Sequence, residues 1–119
     1  MHELSIALNI VDGVLEEAER RGGLRVAAVH LRLGRLASVD EQALQFAYPM
    51  ACEGTPLEDT QLVVQRTEAA VYCPVCERES QPASVYDLRC PICGSCDARI
   101  FSGTEVEITA LETASEVPA

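Results

Sequence analysis

The chain has no tryptophan, only two phenylalanines and three tyrosines among its 119 residues. Any core built from it must therefore be mostly aliphatic, drawn from Leu, Val, Ile and Ala. Positive charge is scarce as well: nine basic side chains stand against nineteen acidic ones, a formal net charge of −10. That balance argues against a nucleic-acid or anionic-lipid partner, because little here would neutralise phosphates. No apolar run approaches the ~20 residues that span a bilayer. No basic stretch followed by an apolar one opens the chain, so a secretory signal is not expected and a reducing cytoplasm is the expected setting. In that setting six cysteines read as metal or redox chemistry and not as structural disulfides. The length fits one domain, or two very small ones sharing a chain.

The apolar pattern divides the chain into elements. Leu4, Leu8, Val11, Leu15 and Ala18 recur at steps of three and four, which predicts an amphipathic helix over 4–21, ended by Gly22-Gly23. LRVAAVHLRLGRL then alternates as a strand, with Ala27, Val29, Leu31 and Leu33 on one face and His30 and Arg32 on the other. Ser38 followed three residues later by Glu41 has capping-box spacing. It predicts a second helix over 39–51, bent or cut short by Pro49. QLVVQRTEAAVY reads as a second strand. EVEITALE alternates again, with Val106, Ile108 and Ala110 on one side, and is expected to return to the first sheet. Between Cys73 and Cys96 neither period appears. The tail 112–119 carries no core signal and is expected to be disordered.

The cysteines carry the plainest chemical signal. Cys73-Pro-Val-Cys76 and Cys90-Pro-Ile-Cys93 are separated by thirteen residues. Two such knuckles can wrap four thiolates around one ion, with metal–sulfur distances near ~2.3 Å. A tetrahedral set of four sulfurs selects zinc, or iron in a rubredoxin-like site. It leaves no open coordination position, so the ion would be structural. Residues 73–97 contain too little apolar material to fold without it. The competing readings are a pair of redox dithiols, or cysteines buried as small hydrophobes; no βαβ pattern surrounds the pairs to support redox work. Cys96 adds a third C-x-x-C, Cys93-Gly-Ser-Cys96. It could substitute for a ligand, but two matched knuckles already supply four, which favours a free thiol. Cys52 reads as a buried small residue.

The opening MHELS poses a different question. The Met1 α-amine, the His2 amide nitrogen once deprotonated, and the His2 imidazole can close fused chelate rings on one ion. Nitrogen-rich, near-planar coordination of that kind favours Cu(II) or Ni(II). Met1 is expected to be retained, since an initiator methionine is generally removed only before a small residue. Glu3 can add a donor or orient the others. Against this stands the commoner fate of a terminal histidine, simple exposure. His30, opposite the apolar strand face, reads as a solvent or edge residue with a supporting metal role as the alternative.

With these residues in view, the chain resembles the HypA/HybF family of hydrogenase nickel-incorporation proteins over residues 1–112. The similar segments are MHELSIALNIV, VHLRLGRLASV, FAYPMACEGTPLEDTQLVV, and CPVC and CPICGS followed by SGTEVEIT. Cys96 departs from the family pattern. The resemblance implies a cytoplasmic nickel metallochaperone for nickel–iron hydrogenase maturation, not an enzyme. It assigns nickel to His2 with Met1 and Glu3 assisting, and a structural zinc to Cys73, Cys76, Cys90 and Cys93. The implied fold is α+β: a small nickel-binding domain with two helices on a mixed three-stranded sheet, plus an inserted zinc-ribbon-like domain. In this sequence the nickel domain is expected over 1–72, completed by a strand at 104–111, with the zinc domain over 73–97.

The implied partners are a nickel-handling GTPase, the hydrogenase large-subunit precursor and, in some members, urease maturation proteins. A monomer or a homodimer is expected, with exchange of the zinc segment between copies conceivable. Two alternatives remain at this stage, a zinc-ribbon interaction module and a thiol redox protein. The first needs basic and aromatic residues near the knuckles, whereas ERESQPASVYDLR between Cys76 and Cys90 has balanced charge and one tyrosine. The second is separated by whether the pairs hold zinc or cycle to disulfides. No phosphate loop, carboxylate dyad or nucleophile–base pair is visible in the sequence.

Overall fold

The computed structural model describes residues 2–114. Along them run α1 (Glu3–Arg20), β1 (Val26–Gly34), α2 (Glu41–Cys52), β2 (Gln61–Thr67), β3 (Ala70–Cys73), β4 (Arg78–Ser80), β5 (Arg99–Ser102) and β6 (Val106–Thr113). They form two compact units. One holds the chain up to Leu31, then Val39–Val64 and the chain from Ile108 on; the other holds Arg32–Ser38 and Gln65–Glu107.

In the first unit α1 packs against α2. Glu3 and Arg20 sit at the ends of α1 where the helix dipole favours their charges. The helix stops because Gly22 and Gly23 turn to φ +85 and +82, which lets the Gly23 N–H return to the Ala18 carbonyl at 2.8 Å. Ala7, Ile10, Val11, Val14 and Ala18 make its buried face. Here the structure differs from the periodicity reading, since Leu4 and Leu8 are each 45% exposed. The buried stripe is turned toward the small and β-branched positions, and the two leucines lie at its edge.

The second helix is capped by Asp40 and not by Ser38: the Asp40 Oδ1 accepts from the Gln42 and Ala43 amides at 2.9 and 3.3 Å. Ser38 lies too far upstream of a helix that opens at Glu41. Pro49 does not end α2, which continues to Cys52. The proline lies on the exposed side, where water can serve the carbonyl that loses its donor. Leu44 and Tyr48 of α2 are buried, as are Leu57, Leu62 of β2, and Val29 and Leu31 of β1. Burial pushes the Tyr48 hydroxyl up to about 12, and its oxygen meets the Thr60 hydroxyl at 2.8 Å.

One three-stranded sheet has the order β2-β1-β6. Bonds from the Gly34 N–H to the Glu105 carbonyl and from the Ala114 N–H to the Arg25 carbonyl cross opposite ends of β1 and β6, an antiparallel pairing. Arg35 donates to the Thr67 carbonyl where β1 and β2 both end, a parallel relation that α2 connects. The sheet is therefore mixed. Strand β6 runs on through Thr113, past the expected end at 111. The remainder of the expected tail, 115–119, lies outside the described residues, as does Met1.

The second sheet has the order β4-β3-β5, antiparallel throughout. QLVVQRTEAAVY, read as one strand, is two: β2 leaves off at Thr67 and β3 begins at Ala70. Val71 of β3 is fully buried, opposite Ser80 and Ile100. Strands of three and four residues are too short to display a period, which is why the cysteine-bearing stretch looked irregular. Gly34 and Gly103 allow a tight crossing in this unit, since a Cβ on Gly34 would fall 2.0 Å from the Gly103 carbonyl oxygen.

Candidate metal centre

The first knuckle begins where β3 ends. Cys73 is the last residue of that strand, and the Glu77 N–H returns to the Cys73 carbonyl at 2.8 Å, with Glu77 held at φ +54. The second knuckle repeats the device four residues on from Cys90: the Gly94 N–H returns to the Cys90 carbonyl at 2.8 Å, with Gly94 at φ +75. Each turn aims its two sulfurs the same way. As a result the Sγ atoms of Cys73, Cys76, Cys90 and Cys93 all lie within 4.8 Å of one another. Cys73 and Cys93 are 3.7 Å apart and Cys76 and Cys90 3.9 Å. A tetrahedron with metal–sulfur bonds of about 2.3 Å has edges of about 3.8 Å, which these two separations match.

Two of the thiols reflect the same geometry in their protonation. Hydrogen bonding to Cys93, with burial, pushes the Cys76 thiol up to about 12. Backbone N–H groups of Cys93 and Ile92 draw Cys90 down to about 6, with burial opposing them. Sulfurs this close cannot all ionise together unless a cation compensates them. A closed set of four sulfurs can hold a structural ion and offers no position for a substrate. Cys73 and Cys90 are buried, Cys76 is half-buried and Cys93 exposed. Cys96 is exposed and outside the set, and Cys52 is buried in the helical unit.

The other sequence-derived candidates sit at the start of α1. His2 precedes the helix at φ −83, ψ 100, and its side chain makes no capping hydrogen bond. It is exposed. Glu3 Oε2 accepts from the backbone N–H of Asp40 at 3.3 Å. Met1 lies outside the described residues. Asp40 is the neighbour that sequence reasoning missed; 37 positions separate it from Glu3, and nothing in the spacing could have announced the contact. His30 pairs with Glu112 at 2.9 Å. Among the described residues, the four cysteines are the one group of three or more side chains placed to share a metal ion. No helix among them is long and apolar enough to cross a membrane.

Comparisons with known proteins agree with one another. A family model described as "Hydrogenase/urease nickel incorporation, metallochaperone, hypA" matches residues 1–113. The hydrogenase maturation factor HypA of Chloroflexus aggregans is 42% identical over 113 residues, 95% of this chain and 99% of that protein. That of a Roseiflexus species is 42% identical over 118 residues, 99% of this chain and 96% of its own. Among solved structures, the Ni metallochaperone HypA from Helicobacter pylori superposes with a TM-score of 0.70 at 20% identity, over 98% of this chain and all of that one. A second solution structure, of HypA protein, gives 0.74 at 21% identity, over 98% of each chain. At those identities the two structures speak for the fold.

Proposed function

This chain belongs to the HypA family of nickel metallochaperones of hydrogenase maturation, a family of metal carriers and not of enzymes, and on that premise we propose that it captures Ni(II) at its N-terminus. The donors are the Met1 amine, the His2 amide nitrogen and imidazole, and Glu3. The observation that carries this reading is the state of His2: it is exposed at the very start of α1, with its side chain unspent on capping. Glu3, one residue on, is held by the Asp40 amide, so the donors begin beside a fixed point of the fold. Nickel is cargo here, and cargo must be released. Donors at a terminus can be replaced one at a time by a recipient without unfolding a domain. Binding needs deprotonated nitrogen, so capture weakens as pH falls.

Cys73, Cys76, Cys90 and Cys93 hold a structural zinc in this reading, which the donor chemistry and spacing support. The bound ion supplies a cross-link between the two knuckles and no chemistry of its own. The chain works in the cytoplasm, receives or passes nickel through a nickel-handling GTPase, and serves the hydrogenase large-subunit precursor; urease maturation proteins are a second class of recipient. A zinc-ribbon module for nucleic acid fits less well with a net charge of −10.

The deciding experiment is a Ni(II) titration of metal-replete protein with a native, untagged N-terminus, beside His2→Ala. Stoichiometric binding that is lost in the variant, with the other bound metal unchanged, is the expected result. Equal binding by both proteins would move the site away from MHELS.

A further inference from the structure

Cys96 has no part in the reading above, yet its surroundings are specific. It follows Cys93 at C-x-x-C spacing and is exposed. Cys93 is also the exposed member of the four-sulfur set, whereas Cys73 and Cys90 are buried and Cys76 half-buried. The backbone folds back between them: the Cys90 N–H bonds the Ser95 carbonyl at 3.1 Å, and the Asp97 N–H bonds the Ser95 hydroxyl at 3.1 Å. Cys96 thus emerges directly from the turn that holds the second knuckle. Close by, Arg89 is held on the Asp87 carboxylate by two bonds of 2.9 Å. Two exposed sulfurs three residues apart on one turn are the arrangement of an oxidant-sensitive dithiol.

We propose that Cys93 and Cys96 are a redox modification site, in which a peroxide joins the two sulfurs as a disulfide and withdraws Cys93 from the four-sulfur metal centre. The chemistry balances with hydrogen peroxide as the oxidant. The Cys96 thiolate attacks one peroxide oxygen, the O–O bond breaks, and a sulfenic acid and hydroxide result. The Cys93 thiolate then attacks the Cys96 sulfur, the S–O bond breaks, and a second hydroxide leaves as the S–S bond forms. Two electrons pass from the two thiolates to one peroxide. Three sulfurs, Cys73, Cys76 and Cys90, remain around the centre, and a set of three no longer closes the tetrahedron. A dithiol reductant reverses the change by thiol–disulfide exchange. Cys96 is the group that makes the site reversible, because it diverts oxidation into a local disulfide before the buried ligands are reached.

This inference rests on the reading of the four cysteines as a zinc site, and the test separates the two. Purified wild type and Cys96→Ser are first assayed for bound zinc, then treated with hydrogen peroxide while released zinc is followed with a chromogenic chelator. In parallel, free thiols are alkylated under denaturing conditions, and the tryptic peptide after Arg89, which carries Cys90, Cys93 and Cys96, is sequenced by tandem mass spectrometry. The expected result is a Cys93–Cys96 link with Cys90 alkylated, zinc release in wild type that a dithiol reverses, and loss of that release in Cys96→Ser. Release from the variant at the wild-type rate overturns the proposal, as does a link formed within Cys73–Cys76 or Cys90–Cys93. Wild type that keeps all its thiols under peroxide overturns it equally. Protein that carries no zinc would sink the metal reading alone, and the disulfide map would still decide whether Cys93 and Cys96 join.

Discussion

The backbone N–H of Asp40 donates to the Glu3 carboxylate at 3.3 Å, while the Asp40 carboxylate accepts from the amides of Gln42 and Ala43. One residue therefore serves the starts of two helices: its amide anchors the first turn of α1, and its side chain opens α2. The first turn of α1 is where the proposed nickel donors begin, so the placement of the terminus is linked to the cap of α2 by a single peptide.

Asp40→Ala keeps the amide that holds Glu3 and deletes the cap. The expected cost is about 1 kcal/mol of stability, the usual worth of an N-cap side chain. Asp40→Asn, which caps equally well, should recover most of it. Urea unfolding followed by far-ultraviolet circular dichroism measures both; an unchanged midpoint in Asp40→Ala would show that the amides of Gln42 and Ala43 find water as good a partner.

Metal removal should act on one unit before the other. The unit that contains the knuckles counts Val71, Cys73 and Cys90 among its few buried groups, so its second sheet is expected to depend on the proposed ion. Chelation at neutral pH, or Cys73→Ser, is expected to abolish amide-exchange protection at the β3–β4 and β3–β5 pairings. The amides of α1 and α2, which surround an aliphatic core with Tyr48, should stay protected. Loss of protection everywhere at once would show that the ion supports the helical unit as well.

Asp87 offers a pH prediction of definite sign. Its hydrogen bonds with Arg89 hold the carboxyl down at about 2, below the ordinary carboxylate value near ~3.9. A group depressed in the folded state contributes above its unfolded value and loses that contribution as pH falls through the folded one. The Asp87–Arg89 contact should therefore persist through pH 4 and fail only toward pH 2. Carboxyl chemical shifts recorded across that range check it, and Arg89→Gln should return Asp87 to the usual range. A wild-type midpoint near 4 would refute the contact in solution.

The sequence and the structure agree best where the chemistry is local. The reversal at Gly22-Gly23 follows from two glycines free to take positive φ. The alternation in β1 places Val29, Leu31 and Leu33 inside, as expected, but Ala27 of the same face is exposed, while Val26 and Ala28 of the other are buried. They disagree where a neighbour decides. Leu4 and Leu8 at helical spacing suggest core, but the buried face of α1 is made by Ala7, Ile10, Val11, Val14 and Ala18. Ser38 and Glu41 had the spacing of a cap, and Asp40 took the role because the chain entering α2 is still extended there, at φ −81 and ψ 114. In β6, Val106 and Ile108 kept their alternation yet remain 41% and 39% exposed, since periodicity tells which side chains share a face and not whether anything covers it.

What the sequence determined by itself was the pair of C-x-x-C knuckles and the MHELS terminus. Thiolates three residues apart are brought within reach of one ion by a few bonds of intervening chain, and the proposed nickel donors at Met1, His2 and Glu3 are neighbours along it. Only the tertiary structure decided that the two knuckles, thirteen residues apart, close to sulfur separations of 3.7 and 3.9 Å, and that Glu3 rests on Asp40. Those distances come from strand pairing and helix packing between segments far apart along the chain, which residue spacing alone does not encode.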